Sequence, residues 1–147
     1  MADHIRKRIR AEVTSTLDMA PGLAGRVTAL RLMPFHQDQL PQVAVYTMDE
    51  ASGLDGTPHA LQRQMDLKVE LFVAGNAAID DALDDMALVV EVALAADRTR
   101  AGLAYDTVLT ATKLGTWLDG EKRNGSITMT YTVFYRTAVA NPDQTNP

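Results

Sequence analysis

The stretch Gly125-Ser126-Ile127-Thr128-Met129-Thr130-Tyr131-Thr132-Val133-Phe134-Tyr135-Arg136-Thr137 decides the fold. Ile127, Met129, Tyr131, Val133 and Tyr135 fall on one parity, and Thr128, Thr130, Thr132 and Arg136 on the other. A two-residue period in β-branched and aromatic residues predicts a strand with one face buried. Working outward, Gly120 to Gly125 reads as a turn, so the strand at 105–118 pairs with the one at 126–137 as an antiparallel hairpin.

Two helices are predicted. In 3–19, Ile5, Ile9, Val13 and Leu17 recur every fourth residue, with basic residues around them, and Pro21 and Gly22 stop the helix. In 77–96, Ile79, Ala82, Leu83, Met86, Val89, Val90, Ala93 and Leu94 form an apolar stripe, with Asn76 as the expected N-cap. Asp80, Asp81, Asp84 and Asp85 crowd its first turns, where the helix dipole favours carboxylates.

Further strands are expected at 26–33, 42–48 and 62–73, with a polar turn bracketed by Pro34 and Pro41. Residues 49–61 contain two Gly, one Pro and three acids, and read as a long functional loop. The order predicts an α+β domain over 1–140, a mostly antiparallel β-sheet with two α-helices packed on one face, and a disordered tail at 141–147. The Thr128, Thr130, Thr132 and Arg136 side is the sheet face expected to be free of helices.

At 147 residues the chain suits a single domain with a sizeable core. The absence of cysteine excludes disulfides and thiolate chemistry. The first ten residues lack the apolar stretch of a secretory leader, and no apolar run is long enough to span a bilayer, so no membrane partner is expected and a cytoplasm is the expected site of synthesis. A net charge of −5 weighs against a dedicated nucleic-acid binder. The charge is segregated: a basic first helix and an acidic second one suit head-to-tail self-association or docking on a charged partner.

No catalytic, cofactor or metal site is predicted. The aspartate cluster is best read as a solvated helix face, because no second acidic cluster or calcium loop accompanies it. His4, His36 and His59 lack metal-ligand spacing, and Ser15, Ser52 and Ser126 lie outside any nucleophile elbow. Gly22 to Gly25 and Gly53 to Gly56 are too short for a phosphate loop. Trp117 and Tyr105 read as sheet-packing residues rather than base-stacking platforms.

Six segments together resemble the tail terminator proteins of long-tailed bacteriophages, the family of the phage lambda minor tail protein U. They are Ile-Arg-x-Arg-Ile-Arg at 5–10, Leu-Pro-x-Val-x-Val-Tyr at 40–46, and Arg63 ahead of Leu-Lys-Val-Glu-Leu at 67–71. The others are Ile-Asp-Asp-x-Leu-Asp at 79–84, Val-Glu-Val-Ala-Leu-x-x-Asp at 90–97 and Thr-Tyr-x-Val-x-Tyr-Arg-Thr at 130–137. Each motif is structural, and the likeness lies in their order. The resemblance implies a homohexameric ring in the virion that caps the tail tube, stops its polymerisation and presents the head-attachment surface. The implied partners are its own copies, the tail tube protein and head-tail connector proteins, with DNA only passing through the channel.

The family has no active-site motif to transfer, so the candidate residues are surface residues of this chain. Arg6, Arg8 and Arg10 are expected to face Asp80, Asp84 or Asp85 of a neighbour. Asp49, Glu50 and Asp55 in the expected loop, and Arg136 on the open sheet face, are candidate contacts with tube or neighbour. A neck or tail completion protein of the same fold is the alternative within the class, and a small ligand-binding or enzymatic α+β domain the alternative outside it.

Overall fold

The central pair of strands carries the core. In the computed structural model, which describes residues 2–29, 39–75, 78–120 and 122–145, β5 (Lys122–Ala138) pairs antiparallel with β3 (Thr57–Val73). Their register sets Leu71 across from Ile127, Val69 from Met129, Leu67 from Tyr131 and Met65 from Val133, and all eight side chains are buried. A slip of one residue would turn that entire set to solvent, so the alternation in both strands fixes the register. Around them stand β1 (Val27–Thr28), β2 (Gln42–Asp55) and β4 (Asp106–Asp119). Among the described residues the sheet order is β1-β2-β3-β5-β4, antiparallel except for the parallel β1–β2 pair. This is the expected α+β architecture.

Both helices cover the same face. Helix α1 (Ile5–Asp18) buries Ile5, Ile9, Val13 and Leu17, and α2 (Ile79–Ala95) buries Leu83, Ala87, Val90 and Leu94, in one cluster with the inward residues of β2, β3 and β5. Each large aliphatic side chain so buried contributes about 1.5–3 kcal/mol. The His4 Nδ1 caps α1, accepting the Arg6 N–H at 3.0 Å. The structure begins α2 after Ala78 with no side-chain cap, and the expected cap Asn76 lies outside the described residues. The start of α2 rests on β5 at Gly125, where a Cβ would come within 2.3 Å of Ile79 Cγ2. Only glycine allows that approach.

The opposite face is polar at its centre, with Thr128, Thr130 and Thr132 half-buried and the Lys68 ammonium donating to Thr130. An apolar corner breaks it: Ala44 and Phe72 are buried together, and Trp117 stands edge-on to Phe72 with ring centroids 5.6 Å apart. Tyr105 packs against Phe134 at 6.0 Å. Both aromatics are sheet-packing residues.

Three expectations change. The loop at 49–61, with Asp49, Glu50 and Asp55, is instead a long β-hairpin: β2 and β3 stay paired from Glu50–Met65 through Leu54–Leu61 to Asp55–Thr57, with Gly56 at φ 66° in the turn. Its alternation was hidden because Ala51, Ser52, Gly53 and Leu54 are all exposed, so no buried face selects apolar residues there. Backbone pairing to β3, itself anchored on β5, extends the strand regardless of composition. The turn expected at 120–125 is shorter, since the β4–β5 ladder reaches Asp119–Lys122. Of the tail expected to be disordered at 141–147, residues 141–145 fold back: Pro142 C=O accepts the Ile5 N–H at 3.0 Å, and Thr145 bridges Thr137. The rest of the expected strand at 26–33 beyond Ala29, together with Pro34 and His36, lies outside the described residues.

Candidate assembly surfaces

Glu50 is a largely enclosed hub, its side chain 10% exposed, rather than a loop contact. Beyond the irregularity after Thr47, β2 turns the Glu50 side chain under the first turn of α1. There its carboxylate accepts from Arg6 Nη2 at 2.7 Å, from Arg63 Nη1 at 3.1 Å and from the Tyr135 hydroxyl. Arg63 Nε also donates to Thr137 Oγ1 at 3.0 Å, and its guanidinium lies 5.8 Å from the centre of the Tyr135 ring. Four elements are thereby tied together: α1, β2, β3 and β5.

The electrostatics follow from that packing. Burial pushes the Glu50 carboxyl upward, but the hydrogen bonds from Arg6 and Tyr135 and the arginine charges outweigh it and hold the pKa below the ordinary glutamate value. Burial, and then the hydrogen bond to Glu50, raises the Tyr135 phenol. Burial, aided by the Arg6 and Arg63 charges, lowers His4, which keeps its capping nitrogen unprotonated.

The other candidates divide between partnered and open. Arg10 Nη1 donates to Thr47 Oγ1 at 3.3 Å, so Arg6 and Arg10 both engage β2 of their own chain, while Arg8 is exposed. Asp55 and Arg136, expected on separate surfaces, form an ion pair with each other. Asp49 is exposed. Asp80, Asp81, Asp84 and Asp85 all face solvent, and among the described residues no ion pair reaches them.

A hollow of about 550 Å³ opens beside the Asp55–Arg136 pair, lined also by Gln62, Leu103, Ala104 and Tyr105. Its polar groups are already committed to one another, since Gln62 donates to the Tyr105 hydroxyl and Arg136 pairs with Asp55. Among the described residues, no three His, Asp or Glu side chains gather as metal ligands. Among the described residues no helix is long and apolar enough to cross a membrane.

Several structural residues escaped the sequence reading. Arg100 is fully buried at φ 51°, donating to the Leu94 carbonyl in the last turn of α2, to the Asp97 carbonyl just beyond it and to Glu12 Oε2 of α1 at 3.3 Å. Nothing in its local sequence marks it. Arg63 carried a signal, because it shares the parity of Met65, Leu67 and Val69, and a charge in register with a buried face requires a buried partner. Leu88 and Val92 carried one too, as apolar residues four apart that lie off the stripe of α2.

No protein-family model matches the chain, and no curated protein matches it. Among solved structures, the chain is similar to a chain of the virion of native gene transfer agent (GTA) particle, at 11% sequence identity and a TM-score of 0.46, over 88% of this chain and 97% of that one.

Proposed function

We propose that this chain is a phage structural protein, a tail terminator whose copies close into a homohexameric ring on the end of the tail tube. The ring ends tube polymerisation and offers the surface to which the head connector attaches. Support comes from the ordered resemblance of six segments to that family, and from how the fold distributes charge. One observation carries the reading. The buried charged groups are spent inside the domain, in the Glu50 and Arg100 clusters and at Glu70, which accepts from Tyr46, whereas among the described residues no ion pair reaches the exposed aspartates of α2. That pattern suits a protein whose specificity lies in docking rather than in a pocket, since a one-sign surface patch selects an opposite partner.

The proposal is tested by adding the purified chain to polymerising tail tubes and imaging them by negative stain. Rings on one tube end and arrested elongation are expected. Tubes that elongate at the same rate with bare ends would refute the terminator role.

A further inference from the structure

Among the described residues, two uncovered apolar patches differ in charge. The first lies on the helix side. Met19, just past α1, and Leu88 and Val92 on α2 are 81%, 62% and 63% exposed, and they flank a groove of about 350 Å³ floored by Ala20, Val89 and Ala93. Helical spacing places Asp84 and Asp85 one turn before Leu88, while Glu91 lines a separate hollow beside Leu109 and Tyr131. The groove is therefore apolar with a rim of exposed carboxylates.

The second patch lies at the outer end of the β4–β5 hairpin. Leu114 and Leu118 are 55% and 67% exposed and, four residues apart on one strand, share a face. The register sets Arg123 directly across from Leu118. Arg123 is exposed, and among the described residues it has no ion pair. Directly opposed side chains stand within about 5.5 Å at their Cβ atoms, so this guanidinium belongs to the leucine patch.

Groove against groove would oppose carboxylates, and tip against tip would oppose guanidinium groups, so neither patch suits a two-fold contact with its own kind. Groove against tip satisfies both the apolar and the charged halves. We infer that the partner of the groove is a second copy of this chain: Leu114 and Leu118 of one copy seat between Leu88 and Val92 of the next, with Arg123 facing Asp84 and Asp85. The contact is head-to-tail, which leaves each copy with one groove and one tip still to fill. Its link to the proposed function is that a closed ring repeats one such contact, but it forms without tail tubes.

Sedimentation of two blocked variants tests it. Leu88→Asp with Val92→Asp closes the groove, and Leu114→Asp with Leu118→Asp closes the tip. All four positions are exposed, and far-UV circular dichroism with a melting curve checks that each variant folds. The wild type is expected to grow beyond a dimer, each variant alone to stay monomeric, and their equimolar mixture to stop at a one-to-one dimer. Arg123→Glu should weaken assembly at least tenfold, and adding Asp84→Lys with Asp85→Lys should restore part of it. A blocked variant that keeps the wild-type mass, a mixture that stays monomeric, or a wild type still monomeric near ~1 mM, overturns the inference. Assembly through these patches without tube capping would refute the terminator role and leave this contact standing. Capping by chains that assemble otherwise would do the reverse.

Discussion

Replacing Glu50 by alanine should destabilise the domain itself, because the carboxylate holds four elements rather than a partner. Three groups lose their acceptor. The Arg63 side chain is only 10% exposed, so its charge is left largely desolvated without an anion. Removing one partner of a fully buried pair costs about 3–5 kcal/mol, and partial solvent access reduces that to roughly 2 kcal/mol here. The buried Tyr135 hydroxyl is left unsatisfied, for roughly 1 kcal/mol more. Arg6 is 36% exposed, and screening limits its share to about 0.5 kcal/mol. The sum is about 3–4 kcal/mol, which for a domain of this size lowers Tm by roughly 6–16 °C. Glu50→Gln keeps an acceptor for Tyr135 and should fall between wild type and Glu50→Ala. Thermal unfolding at fixed protein concentration is the assay. A Tm within about 2 °C of wild type for Glu50→Ala would show that the hub does not hold the fold together.

Three further outcomes follow from the same geometry. Stability should fall in two steps on acidification. His4, lowered in the fold, adds stability above its unfolded pKa of about 6.5 that is lost as pH falls toward the folded value, and Glu50 does the same below about 4.3. Urea midpoints across that range check both steps, and His4→Ala should abolish the upper one. Arg100→Ala removes a buried side chain that links α1 to the segment after α2 and leaves Glu12 partly solvated, so it should cost about 2–3 kcal/mol, read from urea unfolding. Gly125→Ala drives a methyl group into Ile79 and should cost about 1–3 kcal/mol, while in the Ile79→Ala background the same change should cost much less.

Legibility in the sequence followed burial. Wherever a regular element buries one face, as at Ile5 to Leu17 or Ile127 to Tyr135, periodicity revealed the element, its face and its neighbours. The β2 arm of the hairpin past Glu50 was unreadable because Ala51 to Leu54 are exposed on both faces, so pairing to β3 dictated structure that composition alone read as loop. The surface acids of α2 were legible as a solvent-exposed face, since charges on the outer side of an amphipathic helix need no tertiary knowledge. The partners of Arg6, Arg10 and Arg136 were not. Arg6 meets Glu50 only because β2 passes beneath α1, and Arg136 meets Asp55 across the sheet, and such contacts between distant segments leave no local pattern. Arg100 is the extreme case, a buried cation placed by a left-handed backbone turn after α2.

The central claim is that copies of this chain cap a tail tube as a ring. Mixing the purified protein with polymerising tubes, and counting capped ends by negative stain as tube length is followed in time, tests it most directly. The proposed function predicts six-fold rings at one end of each tube and lengths that stop increasing once the rings appear. Continued elongation with bare ends, at protein concentrations where the chain is folded, would contradict it.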